Sequence, residues 1–203
     1  MDDTLRLLTR AGPIIRQGML DSGFRIDSCI SATRIGLDFL TRAGLDDAYG
    51  LVVQVAIYNQ ELMDHAKRVG RLPLSGDETE SWNAEDGSWA LGLGFPNTPD
   101  GAQADTRARR FPGHMVVIVN RRILWDISID QANRPARHIE FTDPVLLPVT
   151  EPFLRGREPV AATWSASGRE LSMVYYARPA DKTFRTAPAW TEPLDYVLAG
   201  VPR

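Results

Sequence analysis

The stretch "HMVVIVNRRILWDIS", residues 114 to 128, constrains the fold more than any other part of the chain. Two runs of apolar, largely β-branched residues flank the polar tripeptide Asn120-Arg121-Arg122, the pattern of two antiparallel strands joined by a tight turn. Both runs are apolar at successive positions rather than alternate ones, so both faces of their sheet are expected to be covered. The rest of the chain has to supply that cover.

Several segments can. "LVVQVAIYN", residues 51 to 59, reads as a further strand, "SWALGLGF" as another, and "VAATWSASGRELSMVYYARP" as a second hairpin about Ser167-Gly168. "DDTLRLLTRAGPIIRQGML" puts Leu5, Leu8, Ile15 and Leu20 at helical spacing, with Pro13 expected to split it into two short pieces. From Ser28 to about Ala43, Arg34, Asp38 and Arg42 form one narrow polar stripe and Ile30, Ala32, Leu37, Phe39 and Leu40 cover most of the rest. That is a largely buried helix, with Ser28 or Asp27 as N-cap and Gly44 in the position a closing glycine prefers. "QELMDHAKRVG" reads as a short helix. Residues 71–112 lose all periodicity and read as a long loop insertion, "DPVLLPVTEPFL" as an irregular segment, and "EPLDYVLAGVPR" as a final helical turn.

The expected fold is therefore α+β: a single domain over residues 1–203, with a buried N-terminal, cysteine-bearing helix packed on a mainly antiparallel β-sheet. A chain of 203 residues with 43% hydrophobic content is long enough for one self-standing core. The formal charge of −3, from 26 acidic against 23 basic residues, gives no footprint for nucleic acid or an anionic membrane. No apolar run is long enough to span a bilayer, and the amphipathic start "MDDTLRLLTRAG" is unlike a secretory signal, so a cytoplasmic protein without a membrane partner is expected. One cysteine and three histidines leave no internal disulfide and little for a zinc site, and no cofactor or metal site is expected.

Three residues stand in an order that suggests chemistry: Cys29 opening a buried helix, His114 starting a strand, and Asp126 on the strand that follows. A helix N-terminus and an imidazolium both stabilise a thiolate, and an aspartate can hold the imidazole in the useful tautomer. Strand parity tests the set. A two-residue turn at Arg121-Arg122 sets Asp126 opposite Val117 and away from His114; a three-residue loop, 120 to 122, pairs it with Val116 on the His114 face. Asp130 has the same parity and is the substitute.

"RIDSCISATRIGLDFL" and "GHMVVIVNRRILWDIS" resemble the transglutaminase-like superfamily of papain-like cysteine enzymes, including its arylamine N-acetyltransferase branch. The resemblance covers under half the chain. It implies a transglutaminase-like fold, Cys29 as nucleophile, His114 as general base and Asp126 as its orienting carboxylate, acting on a small-molecule or peptide acyl or amide substrate. Arg25 keeps the arginine that the acetyltransferases carry before their cysteine, whereas Ile26 and Asp27 stand where they have glycines, and Ser31 where they have an acidic residue. The implied activity is amide or thioester hydrolysis or acyl transfer; the alternative is an inactive member of the same fold serving as a binding or structural protein.

Other clusters read more simply. Glu61 and His65, four apart, are expected on a solvated helix face, "GLGFPNTPDG" as a plain loop, Trp82 and Trp89 as core anchors, and Arg25 with Asp27 as a surface pair.

Overall fold

The computed structural model of the chain describes residues 3–25, 28–73, 76–95, 113–135, 139–166 and 169–180. In chain order the elements are α1 (Asp3–Asp21), α2 (Cys29–Arg42), β1 (Ala48–Asn59), α3 (Gln60–Val69), α4 (Gly76–Asp86), β2 (Ala90–Leu93), β3 (His114–Val119) and β4 (Ile123–Asp126). A 3-10 turn (Ile129–Ala132), β5 (Val145–Pro148), α5 (Glu151–Leu154), β6 (Val160–Ala166) and β7 (Arg169–Ala177) follow. The architecture is α+β, and the β1–β2, β3–β4, β4–β5 and β6–β7 pairs are all antiparallel. The strand order is β5-β4-β3-β1-β7-β6, with β2 also on β1. Among the described residues no helix is long and apolar enough to cross a membrane.

The chain divides into two compact units, one drawn from Met1–Val52, Met115–Glu158 and Ala177–Arg203, the other from Val53–His114 and Pro159–Tyr176. In the first, α1 and α2 cover one face of the β3–β4 hairpin. Leu8, Ile15 and Met19 of α1 and Ala32, Ile35, Phe39 and Leu40 of α2 pack with Val117, Val119, Trp125 and Ile127. Every residue of β3 is buried, as the doubly apolar run requires. In the second unit, Ala56 and Tyr58 of β1 pack with Leu62, Ala66 and Trp82 of α3 and α4.

Three sequence expectations are corrected. Pro13 does not divide the first helix, which runs unbroken for 19 residues. Its buried residues, Leu8, Ala11, Gly12, Ile15, Arg16 and Met19, keep one helical phase across the proline, so a break would take half of them off the core; Leu20 falls outside that phase and is exposed. Residues 71–112 are not one long loop: besides β2, which forms within the expected "SWALGLGF" strand, they hold α4. Helix α4 escapes hydrophobic periodicity because charges secure it: Asp77 and Glu78 sit in its first turn, Glu78 pairs with Arg71, and Asp86 at its end pairs with Arg68. "DPVLLPVTEPFL" is also regular. It forms β5, where Pro148 is tolerated at the end of the strand order, and α5, capped by the Thr150 side chain accepting from the Phe153 N–H.

The second hairpin forms as expected, with Ala166 paired to Arg169 across Ser167-Gly168, which lie outside the described residues, as does "EPLDYVLAGVPR". Gly44 closes α2 with φ 74°, and the N–H of Leu45 reaches back to the Leu40 carbonyl at 2.9 Å.

Candidate functional site

Cys29 is the first residue of α2, a 14-residue helix with no acidic side chain in its first turn. The residue is 6% exposed, and its sulfur is free. Ser28 holds the N-cap position without capping through its side chain: with ψ at 41° its hydroxyl donates back to the Arg25 carbonyl. The first-turn N–H groups of α2 thus receive no Ser28 side-chain oxygen, while the Ser28 carbonyl accepts from the Ala32 N–H at 2.9 Å. Asp27, the other cap candidate, lies outside the described residues, and so does the Arg25–Asp27 pairing.

The direction of α2 follows from two contacts. Gly36 sits so close to the hairpin that a Cβ there would come within 2.6 Å of Ile127 Cδ1 and 3.3 Å of Trp125 and Val117. Past the helix, the Asp47 carbonyl accepts from the Asn120 N–H at 2.7 Å, at the hairpin tip. The C-terminal end of α2 therefore lies toward the tip and its N-terminal end toward the open end of β3–β4. Cys29, seven residues before Gly36, lies about 10 Å further along the helix axis, in the direction in which β4 runs out past Asp126.

The hairpin has the odd loop that the parity test demanded. Val119 pairs with Ile123, Ile118 with Leu124 and Val117 with Trp125, so Asn120, Arg121 and Arg122 form a three-residue connection. Asn120 and Arg121 take positive φ, 50° and 52°, and the Arg122 N–H donates to the Val119 carbonyl at 3.0 Å. Continuing that register sets Asp126 opposite Val116, on the strand face to which His114 belongs by alternation. Asp126 is 0% exposed, and its Oδ1 accepts from the Ser128 N–H at 3.2 Å. His114 is also buried. The body of α2 lies on the other face of β4, that of Trp125 and Ile127, so Cys29 and Asp126 belong to opposite sides of the strand and share only its open end.

Asp130, the substitute for Asp126, is placed differently. It lies beyond β4 in the 3-10 turn, and its carboxylate is 2.9 Å from Nε of Arg16 on α1. Burial raises its proton affinity above the ordinary carboxylate value, while the Arg16 hydrogen bond and charge oppose that shift. The pair lines a cavity of about 190 Å³ with Gln17, Ile127, Asn133 and Phe141. Arg16 escaped sequence reading, although a signal exists: it occupies the buried phase of α1 between Ile15 and Met19.

The second unit holds a polar network that the sequence did not reveal. His65 was expected on a solvated face; it is instead 5% exposed, stacked on Trp82 with ring centroids 4.0 Å apart, with Nδ1 2.8 Å from Asp86. Asp86 also accepts from Arg68 and from the Ser88 hydroxyl, and hydrogen bonds from Ser88, then His65, then Arg68 hold its carboxyl well below the usual range. Trp82 is a core anchor, as read, while Trp89 is half-buried with its N–H donating to the Asn59 side chain. Of "GLGFPNTPDG", residues through Phe95 are described; Gly94 has φ 77° and lies against the backbone of Gly113 and His114.

No protein-family model matches this chain, and no curated protein or solved structure matches it.

Proposed function

We propose that this chain performs thiol-dependent acyl chemistry, hydrolysing or transferring the acyl group of an amide or thioester on a transglutaminase-like scaffold. Cys29 attacks the acyl carbon, His114 takes and returns the proton, and Asp126 orients His114. One observation carries the reading: the three-residue hairpin loop gives Asp126 the strand face of His114, and a two-residue loop reverses it. A first helical turn without acidic side chains at Cys29 adds support, because that end of a helix favours a thiolate.

The experiment is the rate of Cys29 alkylation by iodoacetamide from pH 5 to 9 on the folded protein, alongside thioester hydrolysis. Cys29 of the folded protein is expected to label faster at neutral pH than a simple thiol does, and the thioester to be hydrolysed. Asp126→Asn is expected to slow labelling at neutral pH and lower hydrolysis by about a hundredfold or more with the fold retained. A wild-type rate that rises only above pH 8, or labelling only on unfolding, overturns the reading. A second reading, a non-catalytic binding or structural module, is favoured by the packing of α2 on the face of β4 opposite Asp126 and by the burial of Cys29.

A further inference from the structure

We propose that Arg16 is a positioning residue for Asp126: its ion pair with Asp130 ties α1 to the 3-10 turn after β4 and so fixes where the Asp126 carboxylate points. This role rests on the thiol-imidazole reading above. An arginine in the buried phase of a helix carries a desolvation cost that an apolar residue avoids, and a buried charge is retained stably only with a well-placed partner. Arg16, 6% exposed, has that partner at 2.9 Å. The turn it grips is short and internally bonded. The Asn133 N–H donates to the Asp130 carbonyl at 2.9 Å and the Gln131 N–H to the Ser128 carbonyl at 3.2 Å, while the Ser128 N–H donates to Asp126 Oδ1 at 3.2 Å.

A displacement at Asp130 therefore passes through one turn of backbone to the Ser128 N–H, a donor to Asp126. The two carboxylates also sense each other, since the charge of Asp126 adds to the burial that raises the proton affinity of Asp130. Arg16 faces Asp130 from α1, and its removal takes away that ion pair between the helix and the turn.

The test uses the full chain and reads the rate of Cys29 alkylation at pH 7 relative to pH 9 in wild type, Arg16→Met and Arg16→Lys, with near-ultraviolet circular dichroism confirming the fold. A less well-oriented Asp126 supports the imidazole less, so Arg16→Met is expected to lower the neutral-pH rate about tenfold, with Arg16→Lys restoring most of it. Where Arg16→Met does not fold, Arg16→Gln, which keeps a donor near Asp130, is expected to give a smaller shift in the same direction. A fast wild-type rate at pH 7 retained within about twofold in the folded neutral variant overturns this role alone, whatever happens to stability. A wild-type profile that rises only above pH 8 overturns the functional reading and this role with it.

Discussion

The seating of α2 on the hairpin decides where Cys29 lies, and a double-mutant cycle between Gly36 and Ile127 tests it. Gly36→Ala contributes about 1 kcal/mol of helix propensity, yet its Cβ meets Ile127 Cδ1 at 2.6 Å, and overpacking of a filled core costs about 1–3 kcal/mol. The net expectation is a loss of about 1 kcal/mol. Ile127→Val removes the clashing Cδ1 and by itself costs about 1 kcal/mol. Together the new methyl takes part of the vacated space, leaving only the 3.3 Å approaches to Trp125 and Val117. The double variant is thus expected near wild-type stability, a coupling of about 1.5–2 kcal/mol measured by urea unfolding. Gly12→Ala is the control: its Cβ meets the ring of Pro144 at 2.6 Å and Trp125 Nε1 at 3.1 Å, and neither rigid group can swing aside. A loss of about 2–3 kcal/mol is expected there, with no rescue by Ile127→Val. If Gly36→Ala and Ile127→Val add within about 0.5 kcal/mol, the two residues do not touch as described and the direction assigned to α2 falls with them.

Two further outcomes follow from the charges and the thiol. Asp86 has a depressed proton affinity in the folded chain, so it stabilises at neutral pH and that contribution is lost as pH falls below the ordinary carboxylate range near about 3.9. Asp86→Asn is therefore expected to be less stable at pH 7 and to lose less than wild type between about pH 5 and 2; parallel acid limbs in urea titrations refute the network around His65. Cys29→Ala is expected to change stability by less than about 1 kcal/mol, because one small side chain at a helix start is removed, and a loss several times larger marks Cys29 as a packing residue.

The parts of this fold that hydrophobic pattern controls were legible in the sequence. "HMVVIVNRRILWDIS" encodes a doubly covered hairpin because its runs are apolar at successive positions and so on both faces, and the Gly44 stop is legible because a left-handed closing position favours glycine. The parts controlled by polar partners were not. Helix α4 has one buried side chain among the residues described, Trp82, and is secured by Arg71, Arg68 and His65 from the preceding elements, which no local window reveals. Pro13 misled for a related reason: the lost hydrogen bond is local, but the packing that keeps the helix whole comes from Trp125 and Ile127, more than a hundred residues away.

The candidate site divides along the same line. Residue types and loop parity were legible, since alternation along a strand is a property of the backbone, and the register then observed has the odd connection that parity required. Which face of the hairpin α2 covers was not legible, because Val116, Val117, Ile118 and Val119 offer both faces equally good apolar surface. The cover is on the face of Val117 and Val119, where Gly36 permits a close approach that a larger residue blocks. That choice sets the body of the helix apart from Asp126, yet it does not fix the fate of the sulfur. Cys29 stands about 10 Å beyond the Gly36 contact, at the end of the helix rather than along its packed flank.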